Sequence, residues 1–171
     1  MARVYLGLGS NLGDRAGNIE KALRMLSEGV RLTARSSLYE TEPVGVRNQP
    51  WFLNMVCAGE TDLDPQALLD FVKGIERAMG RVETARFGPR IIDIDILFYD
   101  DLVLNTPNLE IPHPRLTERA FVLVPLAEIA PHLVHPLLGL TVQEMLEGAT
   151  GLEEVHLISC LAAHPHGNSS A

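Results

Sequence analysis

The chain has 171 residues, 46% of them hydrophobic and 21% charged, and carries a formal net charge of −8. That is enough for one well-filled core, and the acidic balance excludes a general nucleic-acid binder, which needs a broad basic surface. No apolar run approaches the roughly 20 residues that cross a bilayer, and the first residues enter a strand pattern without a basic and apolar leader, so a soluble cytoplasmic protein is expected.

Val4, Leu6 and Leu8 alternate as a first strand, which ends at Gly9-Ser10-Asn11-Leu12-Gly13. Asp14 is placed to cap a helix whose apolar stripe is Ile19, Ala22, Leu23 and Leu26. Val30, Leu32, Ala34, Ser36 and Leu38 form a second alternating run; Phe52, Asn54, Val56 and Ala58 form a third, and the two read as neighbouring antiparallel strands. Asp64 before Pro65 starts a second helix with Leu68, Val72, Ile75 and Met79 on one face and Gly80 as its stop.

A fourth strand is predicted from Ile91 to Tyr99, with Ile92, Ile94, Ile96 and Phe98 toward the core and Asp93 and Asp95 on the other face. The order is β-α-β-β-α-β, an α+β, ferredoxin-like antiparallel sheet with two helices on one face and a C-terminal helical extension. Further on, a short strand is expected at Leu102 to Leu104 and a Pro-punctuated helical region from Thr117 to Ile129. Residues 1–160 read as one domain and 161–171 as a disordered tail, small, polar and Gly/Ser-rich.

The chemistry concentrates in Arg86-Phe87-Gly88-Pro89-Arg90-Ile91-Ile92-Asp93-Ile94-Asp95. Two carboxylates on one strand face repel unless a cation neutralises them, and hard oxygen ligands at this spacing suit Mg²⁺ that also holds nucleotide phosphates. Taken alone, the triplet is equally compatible with a solvated strand face on which Arg90 pairs Asp93. Arginine supplies twelve of the 14 basic residues, six of them between Arg77 and Arg119, and its planar fork grips phosphate through paired hydrogen bonds. A local arginine cluster on an acidic chain points to a small polyphosphate ligand. Arg24, Arg31 and Arg35 read instead as surface ion-pair partners. Asn54 shares a strand face with Phe52 and puts an amide inside an otherwise apolar strand. Cys57 and Cys160 lack disulfide or metal-ligand spacing and read as reduced thiols.

Five segments in order carry a resemblance to a known family: Gly7-Leu8-Gly9-Ser10-Asn11-Leu12-Gly13-Asp14, Tyr39-Glu40-Thr41-Glu42-Pro43-Val44-Gly45, Gln49-Pro50-Trp51-Phe52-Leu53-Asn54, the Arg86 to Asp95 segment, and Ile111-Pro112-His113-Pro114-Arg115. Over roughly residues 3 to 130 the chain resembles the 6-hydroxymethyl-7,8-dihydropterin pyrophosphokinases of the folate pathway. The resemblance implies transfer of the β,γ-diphosphate of ATP to the hydroxymethyl group of a reduced pterin, with release of AMP. It further implies that Asp93 and Asp95 hold two Mg²⁺ ions and that Arg81 and Arg90 meet the phosphates and the developing charge. Glu76, Arg86, His113 and Arg119 would serve the nucleotide. Thr41, Pro43, Val44, Phe52, Asn54, Phe87 and Phe121 would enclose the pterin. The partners implied are ATP and the reduced pterin, with no nucleic acid or membrane, and a monomer is expected. The chain has Glu83 and Phe87 where the family commonly has arginine and tryptophan.

Two other readings remain. A nucleotidyltransferase also pairs Gly-Ser with Asp-x-Asp, but there the aspartates follow closely, whereas about eighty residues intervene here. A non-enzymatic ferredoxin-like sensor would have no use for paired aspartates facing arginines.

Overall fold

The computed structural model describes residues 1–42, 51–80 and 91–159. Alternation builds strand β1 (Ala2–Ser10), whose two neighbours, β4 (Phe52–Thr61) and β5 (Asp93–Tyr99), both pair with it antiparallel. Helix α1 (Arg15–Leu26) starts at Asp14, whose carboxylate accepts the Gly17 N–H at 3.1 Å. Helix α2 (Pro65–Ala78) starts at Asp64, which accepts the Ala67 N–H at 2.8 Å, with proline in the first turn. Gly80 ends that helix with φ +88°, a conformation other residues rarely adopt. Both helices lie on one face of the sheet and bury the predicted stripes against Val4, Leu6, Leu8, Ile92, Ile94 and Ile96.

The run from Val30 to Leu38, expected as one strand, is two: β2 (Arg31–Arg35) and β3 (Leu38–Thr41), each paired with a different stretch of β4. Ser36 makes the break. Its N–H donates to the Val56 carbonyl at 2.8 Å, and its own hydroxyl, in place of a backbone carbonyl, accepts the Val56 N–H at 2.9 Å. The next residue is held from outside the sheet: Glu128 accepts both the N–H and the hydroxyl of Ser37, at 3.0 and 2.8 Å.

A second correction concerns Phe98. The strand begins at Asp93 rather than Ile91, and its pairing with β1 slips by one: Leu6 faces Ile96 while Tyr5 faces Phe98, leaving Leu97 as an extra residue. The bulge turns Phe98 to the opposite face from Ile96. There it meets Tyr5 edge-on, with ring centres 6.1 Å apart at 85°. That face has its own core, closed by helices α3 (Ala120–Ile129) and α4 (Val142–Glu147) through Leu123, Leu126, Val142 and Met145. The predicted helical region from Thr117 thus begins as a 3-10 turn, Leu116–Glu118, before α3 proper. The strand expected at Leu102 to Leu104 is β6 (Leu104–Asn105), half of a two-stranded ribbon with β7 (Glu110–Ile111). A strand the periodicity did not reveal, β8 (Val155–Ser159), pairs with β3, so the order across the main sheet is β5-β1-β4-β3-β8, with β2 beside the other half of β4.

The fold is α+β, an antiparallel sheet with helices, as predicted. Among the described residues no helix is long and apolar enough to cross a membrane. The expected tail at 161–171 lies outside the described residues. Cys57 is a core thiol whose pKa burial pushes up to about 12, and Arg31 and Arg35 pair with Glu60 and Glu20.

His135 is buried in the α3–α4 connection, its Nδ1 accepting the N–H groups of Leu137 and Leu138, each at 3.2 Å, and its ring edge-on to Phe98. Burial lowers its pKa below the ordinary 6.5. As pH falls through 6.5 the unfolded chain takes up the proton first, so stability is fully present above that pH and declines below it. His113, also lowered by burial, adds a contribution of the same sign. The melting temperature is therefore expected to fall from pH 7 to about pH 5.5 and to fall less steeply in His135→Asn, which keeps an acceptor for the two N–H groups but cannot titrate. An unchanged slope in that variant would remove His135 from the account.

Candidate active site

Glycines make the floor of the cleft. On β1 the side chains of Val4, Leu6 and Leu8 go to the helix face, so Tyr5, Gly7 and Gly9 share the other. Tyr5 is in the core with α3, but at Gly7 and Gly9 the sheet surface is bare, and a cavity of about 450 Å³ opens above it. A β-carbon added at Gly9 would lie 2.7 Å from Asn54 Oδ1, so only glycine fits there without moving the amide. Gly13, with φ +72°, makes the turn after β1, whereas Gly9 belongs to the floor itself.

Strand pairing arranges the polar groups across this floor. Gly9 lies between Asp93 on β5 and Asn54 on β4, and Gly7 lies between Asp95 and Val56. Strands are about 4.8 Å apart, so roughly 10 Å separates the backbone of the carboxylate edge from that of the amide edge. Asp93 and Asp95 are both half-buried on the cleft side, alternating with buried Ile94 as predicted. Asp95 Oδ2 lies 3.6 Å from Arg119 Nη1, and the Arg119 guanidinium carbon is 5.5 Å from the centre of the Phe121 ring. Burial lowers the Arg119 pKa and Asp95 opposes the shift; an arginine stays charged under either influence.

His113 is held by two backbone contacts: its N–H donates to the carbonyl of Leu97, the extra residue of β5, at 3.1 Å, and its Nδ1 accepts the Arg115 N–H at 3.2 Å. Burial lowers its pKa; Asp95 and Glu110 oppose the shift, and Arg119 and Arg115 add to it. The neutral ring with Nδ1 accepting has its proton on Nε2, a hydrogen-bond donor. His113 is thus both a turn histidine and a lining residue of the cleft.

Glu76 also lines the cleft, but it is only 2% exposed and its Oε2 accepts the Ile94 N–H at 2.7 Å, with Lys73 Nζ 3.5 Å from Oε1. Since β5 is an outer strand among the described residues, this carboxylate satisfies a backbone donor that no described strand reaches. On the amide edge, Asn54 is buried and its Nδ2 donates to Thr41 Oγ1 at 2.8 Å; Phe52 and Phe121 line the same space. The expectations placed on Pro43, Val44, Arg81, Arg86, Phe87 and Arg90 lie outside the described residues. Lys73, Arg115 and Glu118 line the cleft too, and sequence reasoning missed them along with Gly7 and Gly9. The one signal available was Gly-Leu-Gly inside a strand, where missing side chains mark a close approach.

A family model described as 7,8-dihydro-6-hydroxymethylpterin-pyrophosphokinase (HPPK) matches residues 5–131. The 2-amino-4-hydroxy-6-hydroxymethyldihydropteridine pyrophosphokinase of Methylorubrum extorquens is 48% identical over 159 residues, covering 91% of this chain and 99% of that protein. The folic acid synthesis protein FOL1 of Dictyostelium discoideum is 49% identical over 142 residues, and there the chain spans 83% of its own length but 22% of the relative's. Among solved structures, wild-type Plasmodium falciparum HPPK-DHPS superposes with a TM-score of 0.71 at 19% identity, over 86% of this chain and 44% of that one, a likeness of fold. With the matched stretch running from β1 past α3 and taking in the whole described cleft, the chain belongs to the 7,8-dihydro-6-hydroxymethylpterin-pyrophosphokinase family.

Proposed function

We propose that the chain carries out the reaction of its family across this floor, transferring the β,γ-diphosphate of ATP to the hydroxymethyl group of 6-hydroxymethyl-7,8-dihydropterin and releasing AMP. The observation that carries the reading is the row Asp93, Gly9, Asn54, which sets a carboxylate edge and an amide edge on either side of a bare strand. The hydroxymethyl oxygen attacks the β-phosphorus in line, the bond from that phosphorus to the α,β-bridging oxygen breaks, AMP leaves with that oxygen, and the hydroxyl proton is released. Such a transfer needs alignment and charge neutralisation more than covalent help from side chains.

The carboxylate edge fits Mg²⁺. Asp93 and Asp95 offer hard oxygens on one face, and a pair of carboxylates suits an ion that takes the rest of its shell from waters and phosphate oxygens. Asp93 and Asp95 would hold it, two ions being expected, and the bound metal would neutralise phosphate charge and lower the pKa of the attacking hydroxyl. Arg119, already beside Asp95, would meet the same phosphates. The His113 Nε2–H donates to the nucleotide side, and Arg81, Arg86 and Arg90 keep the phosphate-binding roles that the family resemblance implies. Glu76 supports β5 beneath the nucleotide. Asn54, oriented by Thr41, takes the polar edge of the pterin between Phe52 and Phe121, and Pro43, Val44 and Phe87 keep the pterin role that the family resemblance implies.

The test is AMP formation from ATP with the reduced pterin and Mg²⁺, against a blank without pterin. AMP is expected only in the complete mixture. Release of pyrophosphate instead would mark a nucleotidyltransferase, and absence of either product a binding module.

A further inference from the structure

Strand β8 lies beyond the matched stretch, which ends at residue 131, yet it adjoins the amide edge of the cleft. It pairs with β3 in the register Glu40 to His156 and Thr41 to Val155, so the strand that bears Thr41, the partner of Asn54, is an inner strand of the sheet because β8 is present. Without β8 the N–H and C=O groups on that side of β3 would face water and the strand would fray more readily.

A side chain of β8 adds a second hold. The His156 ring stacks on Trp51 with ring centres 5.8 Å apart at 23°. Trp51 is 38% exposed and immediately precedes Phe52, which lines the cleft. Its carbonyl accepts from Arg15 Nη1 at 2.8 Å, and the same nitrogen pairs with Glu40 at 2.7 Å. Glu40 is in turn the ladder partner of His156. The start of α1, β3, the entry to β4 and β8 therefore meet at Trp51, one residue from the cleft wall.

We propose that His156 is a positioning residue for the pterin end of the cleft, acting through Trp51 and β3 without touching either substrate. The inference rests on the reading of Phe52 and Asn54 as the pterin wall. A stacked ring pair at the surface is worth a few-fold in an equilibrium, so the effect is selective rather than abolishing.

Steady-state kinetics of His156→Ala and His156→Phe test it, with melting curves and the fluorescence of Trp51, the only tryptophan in the chain. His156→Ala is expected to raise the pterin KM about threefold to tenfold with the ATP KM unchanged, and to alter Trp51 emission as one ring face becomes wet. His156→Phe, which keeps a flat ring, is expected to restore both. A pterin KM that does not move, a parallel rise in both KM values, or failure of phenylalanine to rescue would overturn the proposal. Loss of AMP formation in the unaltered chain would instead overturn the reading of the cleft, so the two failures are distinguishable. Should His156→Ala melt much earlier, His156→Thr, a strand-favouring side chain without a ring, is expected to show the same selective rise in pterin KM, and an unchanged pterin-to-ATP KM ratio there would overturn the proposal.

Discussion

Asp93→Ala and Asp95→Ala are each expected to lower turnover by more than about a hundredfold, a loss of roughly 3 kcal/mol of transition-state stabilisation. The carboxylates stand on one face of β5 above a floor without side chains, and on the proposed reading loss of either removes half of the protein's own oxygen ligands for a cation. Folding should survive. Both side chains are half-buried, so alanine opens no cavity in either core, and Ile94 between them stays packed under the helices. Asp95→Ala leaves Arg119, whose side chain is 24% exposed, without its 3.6 Å partner, and partly screened pairs of this kind contribute about 0 to 1 kcal/mol. At most a small fall in melting temperature is therefore expected for Asp95→Ala, with turnover depressed in both variants. Steady-state kinetics and melting curves on the two proteins decide this, and near-normal turnover in either would end the metal assignment.

Asn54→Ala is expected to weaken pterin binding by about 1 to 3 kcal/mol while leaving ATP affinity within a factor of two. A heterocycle edge that loses its amide partner in a dry pocket is left unsatisfied, and nothing on the nucleotide side changes. The substitution also has a structural component. Thr41 is only 5% exposed, and its hydroxyl loses a donor at 2.8 Å, so about 1 kcal/mol of stability should go as well. Calorimetric titration with each ligand separately distinguishes the two effects. Equal loss of both affinities would make Asn54 a structural amide.

Much of the frame was legible in the residues taken in order, because it is local. Asp14 and Asp64 cap the helices they were expected to cap, and the stripes at Ile19 to Leu26 and Leu68 to Ile75 face the sheet. Strand alternation put Asp93 with Asp95, and Phe52 with Asn54, and both pairs line the cleft. These readings depend on periods of 3.6 and 2, which the chain carries wherever one face is buried.

What tertiary structure decided depends on which distant strand lies alongside. The slip that turns Phe98 to the second core, and frees the Leu97 carbonyl to hold His113, arises from the register of β5 against β1, more than eighty residues away in sequence. Ser36 breaks its strand because its hydroxyl reaches Val56, and Glu76 faces inward because an outer strand leaves the Ile94 N–H to be satisfied. Gly7 and Gly9 became a floor only when β4 and β5 were set on either side of β1. Strand β8 was not legible because its exposed Leu157 and Ile158 give no alternation. Its place follows from hydrogen bonds with β3, and backbone pairing of that kind is nearly blind to side-chain identity.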